Sequence, residues 1–274
     1  MRTLKPFATI TLGLVLALFT TGCFTVDMLI KVRPDGSGEV ELVSTVKKGF
    51  IEQFAAMAGV EGEGGVEALF SEAKLQETGD SLGPGVKLVR HELIKTETEE
   101  GVRAFYTFTD IGALRPEVMS AAPGGGSAGD GDQQGVDFSF QQGTKGAPSV
   151  ITAAIPQPEL KGDEGAKDEG PAEVGDAAAM DPAQLAMVSQ MFAGLKVQIV
   201  LEVEGKLLKS NAPKVAGNRS TLLAIDFDQI LAAPDKLGLL MANEPSSLAD
   251  LQKITADIPG LVIPTEPELR IEFQ

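Results

Sequence analysis

The chain has 274 residues and a formal net charge of −16, from 23 basic and 39 acidic side chains. A surface this acidic repels nucleic-acid phosphates and anionic headgroups, which excludes the polyanion-binding classes. With no Trp, one Tyr and one Cys, the chain also lacks aromatic platforms for stacking sugars or bases and cannot close an internal disulfide.

Residues 1–22 read as a signal peptide. Arg2 and Lys5 supply a positive start and Phe7 to Phe19 an apolar stretch. That stretch, about 13 residues, is shorter than the ~20 a spanning helix needs. Thr20-Thr21-Gly22 then place small residues before Cys23. The Gly22-Cys23 junction resembles the lipobox of bacterial lipoproteins, which implies a thioether-linked diacylglycerol on Cys23 and cleavage before it. An ordinary cleaved signal and an uncleaved anchor are the alternatives. Lipidation would also remove the reactive thiol that a lone cysteine otherwise leaves on an exported chain. In a Gram-negative cell, Phe24 rather than Asp after the cysteine points to the periplasmic face of the outer membrane.

From Phe24 the apolar residues Phe24, Val26, Met28, Ile30 and Val32 alternate with polar ones, the period of a half-buried strand. Pro34-Asp35-Gly36-Ser37-Gly38 supplies turn chemistry, and Val40, Leu42 and Val46 resume the alternation, so the two runs predict a hairpin. Helical spacing follows at Phe50, Ile51, Phe54 and Met57 and, after a Gly-rich break, at Val66, Leu69, Phe70 and Ala73. Val86 to Ile94 and Val102 to Ile111 predict a second hairpin, with a switch of apolar parity at Leu88-Val89 that suggests a bulge.

Two low-complexity insertions, at about 121–135 and 156–179, are rich in Gly, Ala, Pro and acidic residues and have no apolar period to bury, so they read as flexible loops. Between them Val136, Phe138 and Phe140, then Val150, Thr152 and Ala154, predict two strands. Asp181-Pro182 opens a helix with the stripe Leu185, Val188, Met191 and Phe192. Val197, Ile199, Leu201 and Val203 predict a strand that Glu204-Gly205 ends, and Leu222 to Phe227 its partner. Ser247 and Asp250 resemble a capping box for a further helix through Leu251, Ile254 and Ile258. Leu269, Ile271 and Phe273 predict a terminal strand with one buried face. Strands in hairpin pairs with helices between them predict an α+β fold. In it a mostly antiparallel sheet carries several short helices packed on it, with two flexible low-complexity insertions. Residues 23–274 are then a single domain.

Cys23, the run VRPDGSGEVE from Val32 to Glu41, LEVEGKLLKSNAP from Leu201 to Pro213, and RSTLLAIDF from Arg219 to Phe227 resemble the LppM-like lipoproteins of bacteria. The resemblance implies a lipidated cysteine ahead of an early hairpin and an envelope-exposed α+β domain with lipid or surface interaction; it does not imply catalysis.

Chemistry-bearing residues are sparse. His91 is the only histidine and sits between Arg90 and Glu92 on a predicted strand, without the nucleophile, carboxylate or further ligands that a triad or zinc site needs. Asp35 to Glu39 lacks the spacing of an EF-hand, and the Gly-rich stretches lack the Lys-Ser/Thr ending of a phosphate loop. No catalytic residue, metal ligand or cofactor is therefore assigned. Asp226 and Asp228, with Asp110, carry the alternative of an envelope hydrolase. Against it stands the reading that Asp226 faces solvent and Asp228 caps a helix. The preferred expectation is a non-enzymatic module, tethered to the membrane by its lipid, that binds an apolar ligand or an envelope protein. Its candidate lining is Phe50, Phe54, Met57, Phe70, Met187, Met191 and Phe192, since Met and Phe are adaptable partners for apolar ligands. The same stripes are equally what a core would use.

Overall fold

The computed structural model describes residues 24–48, 70–116, 135–144, 146–155, 194–233, 255, 258–264 and 266–274. Its strands are β1 Phe24–Val32, β2 Gly38–Lys47, β3 Lys87–Lys95, β4 Glu99–Phe108, β5 Asp137–Gln141 and β6 Ser149–Ala154. They continue as β7 Lys196–Val203, β8 Leu207–Ser210, β9 Lys214–Ala216, β10 Arg219–Asp226, β11 Leu261–Val262 and β12 Glu268–Phe273. Among the described residues the helices are α1 Glu72–Ser81 and α2 Phe227–Leu231, with one 3-10 turn at Ile111–Ala113.

The strands form two sheets. The larger has eight strands in the order β11-β10-β7-β1-β2-β4-β3, with β9 beside β10, and the smaller has four in the order β5-β6-β12-β8. All pairs are antiparallel except β1 with β7, which run parallel at the centre of the larger sheet. Their register sets Val26, Met28, Ile30 and Val32 beside Val197, Ile199, Leu201 and Val203, and all eight side chains are buried. Each contributes about 1.5–3 kcal/mol relative to exposure. The opposing layer is the inner face of the smaller sheet, where Phe138, Ile151, Ala153, Leu269, Ile271 and Phe273 join the same core.

This corrects the expected fold class. The protein is mainly β, with 54% of the described residues in strands, and a second sheet, not a set of short helices, covers the first. The segment between Val203 and Arg219, to which the sequence pattern assigns no strand, supplies β8 and β9. In β6 the inward residues are Ile151 and Ala153, not Thr152 and Ala154. Helix α1 takes in Ala73 of the expected stripe, Phe70 stands before it, and Val66 and Leu69 lie outside the described residues; only Leu75 and Gly79 of the helix are buried. A Cβ at Gly79 would lie 3.2 Å from the Tyr106 ring, so the helix packs through a missing side chain rather than an apolar stripe. Tyr106 completes the joint by donating its hydroxyl to the Leu75 carbonyl at 3.1 Å.

Two turns tie neighbouring elements together, one between the layers and one within the smaller sheet. Asp35 accepts from the Ser37 amide at 3.0 Å and its hydroxyl at 2.7 Å, and Gly36 takes φ +85°. A Cβ at Gly36 would stand 2.5 Å from Phe140 of the smaller sheet, so the Pro-Asp-Gly turn is a contact between layers as well as a reversal. At the other joint Asn211 spans the gap between β8 and β12. Its Nδ2 donates to the Glu268 carbonyl at 3.1 Å, and its Oδ1 accepts from the Arg270 amide at 2.6 Å.

Candidate functional site

Alternation in β1, β2 and β7 sends every second residue away from the core, and no described element covers that outer face of the larger sheet. The register aligns Glu41, Leu29, Val200, Thr221 and Lys214 across five strands. Asp27 lies between Val43 and Gln198 in the next line. These residues, with Ala216 and Arg219, line a shallow trough of about 370 Å³. Its middle is apolar (Leu29, Val43, Val200) and its rims are charged. Glu41 is held between Lys31 and Arg103, each at 3.5 Å, and Arg219 bonds Glu202 at 2.6 Å. Lys214 has no ion-pair partner among the described residues, which leaves a free cation at the end of an apolar floor.

A second group of charges gathers where β1 and β7 begin. Lys196 meets Asp226 at 3.0 Å, and this bond, reinforced by the Asp226, Asp228 and Asp27 charges, raises the lysine above its ordinary range. Burial works to raise Asp226, but the Lys196 and Gln229 bonds outweigh it and hold the carboxyl below its usual value. Asp27 moves the other way. Desolvation raises it, and the Lys196 charge offsets only part of that rise.

The sequence-derived aspartates divide accordingly. Asp226, not Asp228, caps α2, accepting from the Gln229 amide at 3.3 Å, and its side chain is only 14% exposed. Asp228 instead accepts from the Gly194 amide at 2.5 Å. Asp110 caps the 3-10 turn through Gly112 at 2.8 Å. That turn bonds Gly36, next to the end of β1 at Val32, whereas Lys196 pairs with Thr25 at its start. Asp110 and the Asp226–Asp228 pair therefore sit at opposite ends of the sheet. Asp27 and Lys196, not singled out in the sequence, complete the cluster because the parallel pairing juxtaposes them.

Of the candidate lining residues, Phe70 is 5% exposed and belongs to the shared core. It lines no groove. Phe50, Phe54, Met57, Met187, Met191 and Phe192 lie outside the described residues, as do Cys23 and most of both insertions. His91 is half-buried on β3. Among the described residues no cluster of His, Cys, Asp or Glu is placed to hold a metal ion, and no helix is long and apolar enough to cross a membrane.

No protein-family model and no curated protein matches the chain. Among solved structures the chain is distantly similar to the NMR structure of the folded domain of the Mycobacterium tuberculosis LppM protein. That similarity has 11% sequence identity and a TM-score of 0.29, over 76% of this chain and 85% of that one.

Proposed function

We propose that this chain is a bacterial envelope lipoprotein of the LppM-like kind, anchored through a diacylglyceryl-modified Cys23. Its domain is a non-enzymatic module that holds an apolar or amphiphilic ligand on the open face of the larger sheet. The observation that carries the reading is the trough. An apolar floor of Leu29, Val43 and Val200, with Lys214 at its rim and without an ion-pair partner among the described residues, suits an acyl or similar chain bearing an acidic head, and the volume is within the ~300–1,000 Å³ of small-molecule sites. The anchor rests on the charged start, short apolar stretch and Gly22-Cys23 junction. Strand β1 opens at Phe24, the residue after the lipidated position, so the domain follows its anchor without a linker. Location at the periplasmic face of the outer membrane, if the host is Gram-negative, follows from the same junction.

Two measurements test this. Mass spectrometry of the N-terminal peptide should show Cys23 diacylated and first in the mature chain; an unmodified Cys23 removes the anchor and the location. Native mass spectrometry of the full chain against envelope lipid extracts should show a bound amphiphile that is lost in Val200→Glu. Absence of bound lipid, or substrate turnover that disappears in Asp226→Ala with Asp228→Ala while the fold is kept, overturns the binding reading in favour of a hydrolase.

A further inference from the structure

Strand β3 ends the larger sheet, and among the described residues nothing pairs with its outer edge. A nine-residue edge with which no described strand pairs is a template for another strand. Its sequence, Lys87-Leu88-Val89-Arg90-His91-Glu92-Leu93-Ile94-Lys95, has the same chemistry from either end. Lysines close both termini and apolar pairs lie inside them. Opposite charges flank a central histidine. Val89 and Leu93 are 60% and 50% exposed, among the most exposed large apolar side chains of the described protein.

We propose that β3 pairs antiparallel with β3 of a second copy of this chain, the two-fold axis passing through His91. In that register Arg90 faces the partner's Glu92 and Glu92 the partner's Arg90. Leu93 meets the apolar pair Leu88 and Val89, both opposite it because β3 bulges between Leu88 and Arg90. The faces agree. Arg90 and Glu92 lie opposite Phe105 and Arg103 on the outer side of the sheet, while His91 and Leu93 lie opposite Ala104 and Val102 on the core side. Arg90 is already held in place, its guanidinium 3.4 Å over the Phe105 ring and in contact with Glu92. Two such pairs therefore meet as a ring of four alternating charges with little ordering cost. Lys87 and Lys95 confine the pairing to the centre. The contact is isologous, so it uses up the edge and stops at two copies. The axis is normal to the sheet, so the two Phe24 ends lie at opposite ends of the joint sheet, and both anchors reach one bilayer only when the strands run along it.

The test uses the full chain in detergent, by sedimentation. Wild type should be dimeric. Arg90→Glu and Glu92→Arg each set like charges against each other twice and should weaken the dimer by ~10-fold or more. An equimolar mixture of the two variants should restore it, because each Glu then faces an Arg. His91→Cys should form a disulfide with its own copy, since Cα atoms opposed across an antiparallel pair are ~4.5–5.5 Å apart, inside the range a disulfide spans. Lys87→Cys should not, because beyond the bulge its mate is Ile94. Peptide mapping separates the His91→Cys link from any link to Cys23. A monomeric wild type, or a dimer that both charge variants leave intact, overturns the proposal. All the altered side chains are exposed or half-buried, and circular dichroism confirms that the fold is kept.

Discussion

Replacing Asn211 with alanine removes the bridge between β8 and β12 without touching the apolar core. Two bonds go, the one from Nδ2 to the Glu268 carbonyl at 3.1 Å and the one from the Arg270 amide to Oδ1 at 2.6 Å; the Asn211 amide to Arg270 carbonyl bond at 3.3 Å is backbone and stays. A hydrogen bond contributes about 0.5–1.5 kcal/mol net. Asn211, Glu268 and Arg270 are all exposed, so water replaces part of what is lost and the expected cost is about 1–2 kcal/mol. In urea, with a slope of about 1–3 kcal/mol per molar, this lowers the unfolding midpoint by ~0.5–1 M at unchanged slope. Asn211→Asp keeps the acceptor for the Arg270 amide and should lose about half as much. Hydrogen exchange at Arg270 should quicken in Asn211→Ala with little change at Ile30 or Leu201. An Asn211→Ala protein that unfolds at the wild-type urea concentration would refute the bridge.

Gly38→Ala should be far more damaging. The new Cβ would sit 2.0 Å from the Lys31 carbonyl oxygen and 2.4 Å from Phe108, so β1 and β2 must separate, and a loss of more than about 3 kcal/mol is expected in thermal unfolding. The two titrating aspartates should behave oppositely. Asp226 is held below its ordinary value in the folded state, so its contribution is present above about pH 4 and disappears as pH falls through the folded pKa; Asp226→Asn should flatten the acid limb of a stability-against-pH curve. Asp27 is raised, so folding favours its protonated form, and that contribution is lost as pH rises through its folded pKa. Asp27→Asn should therefore stabilise the protein at neutral pH and leave it unchanged near pH 3, as chemical denaturation at the two pH values would show.

Much of both sheets was legible in the residues. Period-two alternation over Phe24 to Val32, Val197 to Val203 and Leu269 to Phe273 identified the strands and their buried faces, because a strand with one wet face needs that pattern wherever it lies in the sheet. The parity switch at Leu88-Val89 marked the bulge, and the Pro-Asp-Gly run marked the first turn. Pattern failed where both faces are apolar or small. Around Val150 to Ala154 either parity fits, and the choice of Ile151 and Ala153 was made by the sheet they pack against. Strand partners were equally hidden. The parallel union of β1 with β7, and with it the meeting of Asp27 and Lys196 and the floor of the trough, joins segments far apart in the chain. Alternation encodes which side of a strand is buried. Which strand lies beside it, and whether helices or a second sheet form the other layer, is settled only by the summed packing of whole surfaces.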